Sequence, residues 1–519
     1  MKESVNRLKA SVSRFLGANV IEKPAIVRGL SLGYVEMGVG LVLSFALTPL
    51  ILRHLGATAY GLWATLGSVA GYFVLTDFGM TAAIAKYTAE YRARGEIETL
   101  NRLLSTMIGA FIIIGGVIVL LAFMLAPFIQ KFFYLPGDLA STGQAAFLIM
   151  IINVAMSLVS GSLSYVIYGH QRVDIQKTIA ILQTLINAAL VVLLLNLGMG
   201  LIGVVIASSV SVIGAILFSL IYIYRSQYGL SFRPQLFDPK MLREVAPYSL
   251  RCFILGMTAQ VLYRTDNIVI AAILGTVMVT PYAIVYKLCF VGAMISFKIS
   301  DTLQPTFTRL YTIGDHAGLR TLYLKTMRLS VGVMVPIAVF LLVFGRSFID
   351  LWVGAENFAG MGGIAVLVVM NLVHSLNPSF AVLQAIGKNQ AVMYSAVLDA
   401  LLNLLLSILL AHKIGLMGVA LGTLLAHLCT DTWVVIWSSC KNTNLPVRTL
   451  LSASILPPLL AGVPVAVISF FLLRDLFPNT LLFLGMKGIL LAATYVCTCL
   501  IIWFILQKMK ALKHVASAV

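Results

Sequence analysis

Charged residues are scarce in this sequence. Of its 519 residues, 11% are Asp, Glu, Lys or Arg, and 60% are hydrophobic. A soluble protein of this length would carry about a quarter charged residues and divide into several cores. The low charge content therefore excludes a soluble enzyme and a nucleic-acid-binding protein.

The sequence also lacks the apolar–polar alternation of membrane β-strands, which excludes a β-barrel. Runs of twenty or more apolar residues recur from about residue 30, and ~20 such residues cross a bilayer as a helix. We predict an all-α polytopic membrane protein with about fourteen spans. They are predicted at 30–52, 60–84, 104–130, 143–168, 177–196, 200–224, 246–273, 279–299, 327–346, 360–384, 390–411, 415–438, 451–473 and 482–506.

Cysteine and catalytic motifs are sparse as well. All six cysteines fall in predicted spans or at their ends, so we expect neither a disulfide framework nor a metal site. The sequence contains no HExxH, no GxSxG and no usefully spaced pair of aspartates, so we expect no enzyme and no cofactor.

Residues 1–29 lack a continuous apolar core for a signal peptide and predict an amphipathic surface helix.

Basic residues are unevenly distributed between the predicted loops. The N-terminal segment, every second loop and the tail hold 28 of the 36 Lys and Arg residues, whereas the alternate loops hold five. By the positive-inside rule both termini are predicted to be cytoplasmic. The net charge of +17 thus reflects topology, and we expect no nucleic-acid partner.

An internal repeat relates the two halves of the chain. Residues 200–204 (GLIGV) recur at 415–419 (GLMGV), and Leu55-Gly56 recurs at Leu274-Gly275. Two parallel six-helix bundles related by a pseudo-twofold axis are typical of transporters. We therefore divide the chain into a cytoplasmic segment 1–29, a first lobe 30–224, a linker 225–245, a second lobe 246–438, two further spans within 451–506, and a cytoplasmic tail 507–519.

Three stretches carry a family resemblance. Residues 52–63 read LRHLGATAYGLW, residues 76–80 read TDFGM, and residues 266–270 read DNIVI. They resemble the Wzx-type flippases, which belong to the polysaccharide-transporter branch of the MOP exporters, related to the lipid II flippase and to MATE antiporters. Phe78 stands where Leu is usual in that family.

The resemblance implies translocation of an undecaprenyl-pyrophosphate-linked oligosaccharide, such as an O-antigen repeat unit, across the bacterial inner membrane by alternating access. The expected partners are this substrate, membrane lipids, a coupling proton or Na⁺, and a glycan polymerase complex. Two alternatives remain open. One is a MATE-like drug or cation antiporter, and the other is a non-transporting membrane scaffold of a glycan-polymerising complex.

Cations within the spans are the first candidates for substrate binding. A charge at the bilayer centre costs at least ~2.5–3.5 kcal/mol, which makes each one a functional hypothesis. We predict that Arg264 and Lys287 bind the pyrophosphate, with a structural ion pair as the alternative for each. Arg53 guides the head group or anchors the membrane edge. Lys487 is interpreted as a snorkelling side chain.

Polar and acidic residues within the spans are the remaining candidates. The glycan cavity is assigned to Gln260, Asn267, Asn153, Asn187 and Asn371. Asn side chains also join membrane helices, which is the alternative reading. Ion coupling is assigned to Glu36, Asp77, Asp266, Asp399, His427 and Asp431. The alternative for His427 and Asp431, which are four residues apart, is a structural hydrogen-bonded pair.

Overall fold

The structure is a computed structural model, and it describes residues 24–516 except 134–136, 227, 389, 474, 475, 477 and 479. The predicted amphipathic helix within residues 1–29 lies mostly outside the described residues. The described part of the chain consists of α-helices with short 3₁₀ and π segments, and it contains no strand. The prediction of an all-α polytopic membrane protein is confirmed.

The chain forms two compact units, Met1–Val277 and Met278–Val519. The helices of the first unit are α1 (Pro24–Phe73), α2 (Met80–Arg94), α3 (Ile97–Phe132), α4 (Gly137–Gly169), α5 (Val173–Asn196), α6 (Gly200–Arg225) and α7 (Pro239–Leu274). Helix α7 contains the seventh predicted span and packs on α1, α2 and α3. The proposed lobes 30–224 and 246–438 therefore stay a prediction.

The second unit holds the remaining helices. They are α8 (Val279–Thr312), α9 (His316–Val353), α10 (Met361–His374), α11 (Pro378–Ala385), α12 (Gln390–Ile414), α13 (Leu416–Cys429), α14 (Asp431–Asn442), α15 (Val447–Leu450), α16 (Leu456–Ile468) and α17 (Leu481–Ala516). Two π segments, Leu451–Ile455 and Ser469–Leu473, flank α16.

Twelve helical segments in the described residues are long and apolar enough to cross a membrane, against about fourteen predicted spans. One of the twelve, Ser31–Asp77, has 47 residues. Because ~20 residues suffice for one crossing, this segment is long enough to hold the first two predicted spans. The seventh predicted span is not among the twelve. It lies in α7, where Arg251, Arg264 and Asp266 interrupt the apolar run.

Three pairs of glycines that the internal repeat matches have positive φ, a region that glycine occupies without steric cost. Each of these glycines lies at a helix end or at a kink within a helix. The pairs are Gly56 (72°) with Gly275 (90°), Gly95 (75°) with Gly314 (76°), and Gly200 (51°) with Gly415 (62°). The repeat therefore preserves the chain reversals between helices as well as the sequence.

Three of the predicted spans are interrupted. The second span breaks at Phe78 and Gly79, which both have positive φ between the 3₁₀ segment Val74–Asp77 and α2. The tenth breaks between α10 and α11, where Pro378 begins α11 and cannot donate a helical hydrogen bond. The twelfth breaks at Thr430, whose φ of −124° and ψ of −88° separate α13 from α14.

Helices α12 and α13 approach each other closely through glycine. A β-carbon at Gly422 would lie 2.6 Å from the backbone nitrogen of Ser407, and one at Gly418 would overlap the Leu410 carbonyl group. Small residues four apart allow such backbone contact between membrane helices. This contact fixes the face that α12 presents to α13, and the same face carries Asp399.

Candidate functional site

Arg264 lies on α7, against the second half of α1. Its aliphatic stem rests on Gly71, where an added β-carbon would lie 3.2 Å from Nε. The side chain is exposed, and it makes no hydrogen bond or ion pair with any other described residue. An exposed guanidinium without a partner can hold two oxygens of an anion at once, so Arg264 is suited to binding an anion.

Two hydrogen bonds made by residues just after Arg264 fix the rotation of α7. Asn267 Nδ2 donates to Ser68 Oγ at 3.0 Å, and the hydroxyl groups of Tyr72 and Thr265 are hydrogen-bonded to each other. The neighbouring Asp266 is buried. Asn267 is therefore engaged with α1, and Arg264 is the side chain of this group that the helix leaves exposed.

The other predicted head-group cations lie on other helices. Arg53 is exposed near the turn at Gly56. Gly56 lies fifteen residues before Gly71, which corresponds to ~22 Å of helix, and the assignment of Arg53 to the head group stays a prediction. Lys287 is partly buried on α8, in the second unit.

The second unit brings together three of the residues predicted for ion coupling. The Nδ1 atom of His427 lies 2.5 Å from Oδ2 of Asp399. One side-chain ligand atom from each of Asp399, His427 and Asp431 lies within 4.8 Å of the other two. Ser395 Oγ donates to Asp431 Oδ1 at 2.7 Å. We call Asp399, His427 and Asp431 the carboxylate–histidine cluster.

The carboxylate–histidine cluster is buried and incompletely satisfied. Asp399 has no exposed surface, and neither of its carboxylate oxygens has a hydrogen-bond partner in the described chain, although Nδ1 of His427 lies close to Oδ2. Asn403, one turn away on α12, is also fully buried, and neither of its amide atoms has a described partner. Buried polar groups without partners cost free energy, so the cluster holds unsatisfied capacity for a positive charge.

Glu36 and Asp77 have structural partners. Glu36 Oε2 lies 2.8 Å from Nζ of Lys177 on α5. Asp77 accepts hydrogen bonds from Thr81 N at 3.0 Å and from Thr81 Oγ1 at 2.6 Å. The first of these bonds gives a partner to a backbone N–H in the first turn of α2, after the break at Gly79. These contacts favour structural roles for both carboxylates.

The residues predicted for the glycan cavity have local partners in most cases. Ser157 donates to Asn153 at 3.2 Å, Ser208 donates to Asn187 at 3.5 Å, and Asn371 Nδ2 donates to the Leu367 carbonyl at 2.8 Å. Gln260 is partly buried, one turn before Arg264. Asn371 is buried, and its Oδ1 lacks a partner among the described residues. The glycan assignment stays a prediction.

The sequence reasoning missed His374. It ends α10, just before the break at 375–377, and its ring centroid lies 5.4 Å from that of His427 with the two planes at 90°. The signal was present in the sequence, because Ser375-Leu376-Asn377-Pro378 is a helix-breaking run within an apolar span.

Lys487 differs from its sequence-based interpretation. It is fully buried, and its Nζ lies 5.6 Å from the ring centroid of Phe344 on α9. The interpretation as a snorkelling residue is wrong, because a snorkelling amine reaches water at the membrane edge. Lys487 instead connects α17 to α9.

Comparison with known proteins gives one family and one fold. A family model described as polysaccharide biosynthesis protein matches residues 29–311. The lipid II flippase MurJ of Bacillus subtilis (strain 168) is 22% identical over 396 residues, covering 69% of this chain and 72% of that protein. A solved structure of lipid II flippase MurJ in an inward closed conformation has a TM-score of 0.70 at 14% identity, covering 91% of this chain and 98% of the other.

A MATE family multidrug resistance transporter of the MOP superfamily, solved in an inward-facing conformation, is also similar. Its TM-score is 0.67 at 15% identity, with coverage of 83% of this chain and 100% of the other. At such identities the likeness shows a shared fold and no shared substrate. The fold class predicted from the sequence is therefore confirmed, and the choice of substrate depends on the site residues.

Proposed function

The chain belongs to the polysaccharide biosynthesis protein family, and we propose that it moves an undecaprenyl-pyrophosphate-linked oligosaccharide from the cytoplasmic to the periplasmic leaflet of the inner membrane. The resemblance to MOP-superfamily flippases is confirmed at the level of family and fold. The Wzx-type assignment, the glycan class, the inner-membrane location with both termini cytoplasmic, and the partnership with a polymerase belong to the proposal.

The proposal rests on the exposure of Arg264 and on its lack of an ion pair among the described residues. A lipid-linked sugar has an anionic pyrophosphate that must enter the bilayer, and a guanidinium can hold two phosphate oxygens at once. Arg264 is exposed, supported by Gly71, and without an ion pair among the described residues. A structural cation within a span would instead be paired with a carboxylate.

Energy for transport is proposed to come from an ion gradient acting on the carboxylate–histidine cluster. A flippase that works by alternating access needs a site whose charge changes between its two states. Asp399, His427 and Asp431 provide titratable groups inside two candidate spans, Val392–Ile414 and Leu416–Asn442. The remaining predicted coupling residues, Glu36, Asp77 and Asp266, are secondary to this cluster.

The two alternative functions make different demands on the site. A MATE-like antiporter binds cationic drugs, so an unpaired Arg264 would repel its substrate. A non-transporting scaffold of a glycan-polymerising complex requires no anion site in the membrane. The exposed guanidinium of Arg264 therefore favours the flippase over both alternatives.

A flipping assay on the full chain in proteoliposomes tests the proposal. A fluorescent undecaprenyl-pyrophosphate oligosaccharide is quenched from outside by an impermeant reductant, and the protected fraction reports its leaflet. Arg264→Ala should slow flipping about tenfold or more, since a charge-assisted hydrogen bond contributes ~1.5–3 kcal/mol. Arg264→Lys should retain part of the rate. Lys131→Ala, which removes an exposed cation at the end of α3, is the matched control.

Three results would count against the proposal. Normal flipping by folded Arg264→Ala would place the pyrophosphate on other residues. Transport of a cationic dye, with no movement of the labelled lipid, would support the antiporter. A wild-type chain that moves neither substrate would support the scaffold.

A further inference from the structure

We propose that residues 228–238, which connect α6 to α7, form a strap that stays docked on α3 throughout transport, so that α7 moves with the first unit. This inference rests on the proposed function, because it concerns the movement by which the flippase alternates between its two states. Asn101, Ser105 and Thr106 on α3 hold the strap, and they are positioning residues that act through α7.

Asn101 holds the beginning of the strap through the strap's backbone atoms. The Nδ2 atom of Asn101 donates to the Gly229 carbonyl oxygen at 3.0 Å, and its Oδ1 atom accepts from the Ser231 N–H at 3.0 Å. A side-chain amide offers a donor and an acceptor side by side, as a peptide group does, so Asn101 pairs with the strap as a neighbouring strand would. These contacts depend on the path of the strap and not on its side chains.

Two hydroxyl groups continue the contact toward α7. Ser105 Oγ donates to the Ser231 carbonyl oxygen at 3.4 Å and accepts from the Arg233 N–H at 3.1 Å. Thr106 Oγ1 accepts from the Asp238 N–H at 2.9 Å. The Asp238 carboxylate in turn caps the first turn of α7. The strap therefore holds the beginning of α7 at a fixed place on α3.

The side chains that hold the strap are buried beneath it. Asn101 is 9% exposed, Ser105 is 6% exposed, and Thr106 is fully buried. The ring of Phe237 rests on Gly109, where an added β-carbon would lie 2.9 Å from Cδ2 of the ring. Five hydrogen bonds break together if the strap leaves α3. Since one net hydrogen bond shifts an equilibrium about fivefold, the docked strap is strongly favoured.

Contacts further along α7 tie it to the same unit. Near its start, Glu244 accepts a hydrogen bond from the Tyr91 hydroxyl at 3.0 Å. In its first half, α7 lies so close to Gly79 that an added β-carbon there would overlap its backbone. Near its end, Asn267 Nδ2 donates to Ser68 Oγ. Helices α1, α2 and α3 therefore hold α7 along its length, and the strap extends this contact to its first turn.

The second unit contains a strap of the same kind. Its helix α9 corresponds to α3 through the repeat, in which Gly95 and Gly314 lie two residues before these helices. Two hydrogen bonds join α9 to the segment after α14, from Arg320 Nε to the Thr443 carbonyl at 2.7 Å and from Arg328 Nε to the Ala453 carbonyl at 2.9 Å. Each half of the chain thus fastens the segment that follows its sixth predicted span to its third. A contact that both halves make belongs to the bundle itself, which favours a fixed strap.

A docked strap places the bend of the chain after α7. The chain passes from the first unit to the second at Val277–Met278, just after Gly275, whose φ is 90°. A β-carbon at Gly275 would meet no atom within 4 Å beyond its chain neighbours, and glycine tolerates a wide range of backbone angles. The predicted linker 225–245 is then a fixed part of the first unit, and the turn at Gly275 is the part that bends.

Hydrogen exchange of the full chain in lipid nanodiscs, measured by mass spectrometry, tests whether the strap is docked. The strap amides should be protected, and they should stay protected when the labelled undecaprenyl-pyrophosphate oligosaccharide is added. Asn101→Ala should speed exchange within 228–238 about fivefold, the effect of one lost hydrogen bond, since the Ser231 N–H loses its acceptor. Asn196→Ala, which removes an exposed asparagine at the end of α5, is the matched control and should change nothing.

Cross-linking tests whether the strap has to move during flipping. In a variant with the six native cysteines replaced, Ser105→Cys and Arg233→Cys replace two residues whose Oγ and backbone nitrogen lie 3.1 Å apart. A short bismaleimide joins the two thiols, and the same variant treated with a monofunctional maleimide is the control. The joined protein should flip the labelled lipid at least as fast as the control, because the docked strap is its working state. Asn101→Ala should flip about fivefold more slowly, since α7 is less firmly held, and the same cross-link should restore its rate.

The outcomes separate the strap from the function beneath it. A joined protein more than twofold slower than its control would show that the strap has to leave α3, and would overturn the proposal. Strap exchange that rises when the lipid is added would do the same, as would normal flipping by folded Asn101→Ala. Should Asn101→Ala unfold, as judged by its thermal transition, Ser105→Ala takes its place under the same criteria. If the wild-type chain flips nothing, the proposed function itself fails, and the exchange measurement still decides whether the strap is docked.

Discussion

Glu36 and Lys177 form an ion pair, with 2.8 Å between Oε2 and Nζ, and this pair joins the early part of α1 to α5. Both side chains are about 30% exposed, so the attraction is screened by solvent. The pair gives this carboxylate within the first span a structural partner, so its position there does not require a role in ion coupling.

Glu36→Gln should therefore leave gradient-driven flipping unchanged and lower stability by less than ~1 kcal/mol. Lys177→Gln should behave in the same way, because each variant breaks the same contact. The measurement is flipping under a proton gradient, together with thermal unfolding of both single variants and the double variant. Loss of flipping in Glu36→Gln, with normal flipping in Lys177→Gln, would return Glu36 to the coupling path.

Gly79→Ala should destabilise the first unit by about 1 kcal/mol or more, since an L-residue is strained at positive φ. Gly79 has a φ of 72°, and its β-carbon would overlap the Ser249 carbonyl oxygen on α7. Gly38→Ala is the matched control, because Gly38 lies within helical α1 with open space around its β-carbon. It should be neutral or stabilising. Thermal unfolding in detergent compares the two, and equal transitions would show that α2 and α7 do not pack at Gly79.

The sequence and the structure agree where a local signal determines the outcome. Apolar runs predict the spans, and the glycines of the repeat mark the helix reversals, because both depend on a few consecutive residues. The positions of Asp399, His427 and Asp431 within predicted spans identify each of them as a candidate. Their meeting in one cluster depends on the close packing of α12 on α13 at Gly422.

Other features could not be predicted because they depend on contacts between distant segments. The pairing of Glu36 with Lys177 spans 141 positions of the chain, and nothing near either residue indicates it. The burial of Lys487 cannot be predicted for the same reason, since it depends on packing against Phe344 of α9. Helix periodicity shows which residues share a face and leaves open which partner covers that face.

Lys487 and Phe344 should be energetically coupled. A buried cation over an aromatic ring gains ~0.5–2 kcal/mol, and the Nζ–centroid distance is 5.6 Å. In a double-mutant cycle of Lys487→Met and Phe344→Leu, we expect a coupling of about 1 kcal/mol in thermal stability. Lys441→Met with Trp437→Leu, a cation–ring pair at 4.8 Å with an exposed cation, provides a comparison in which solvent should weaken the coupling. Strictly additive effects at Lys487 and Phe344 would contradict the contact.

The loop between α6 and α7 should be cytoplasmic, and the segment between α9 and α10 should be periplasmic. The reason is the uneven distribution of Lys and Arg, with 28 of 36 in the N-terminal segment, alternate loops and the tail. Gln235 and Ala355 are exposed positions in these two segments, so a single cysteine at either can react. In a variant with the six native cysteines replaced, Ala355→Cys should be modified by an impermeant thiol reagent added to intact cells. Gln235→Cys should be modified only after the membrane is opened, and modification of Gln235→Cys in intact cells would invert the entire topology.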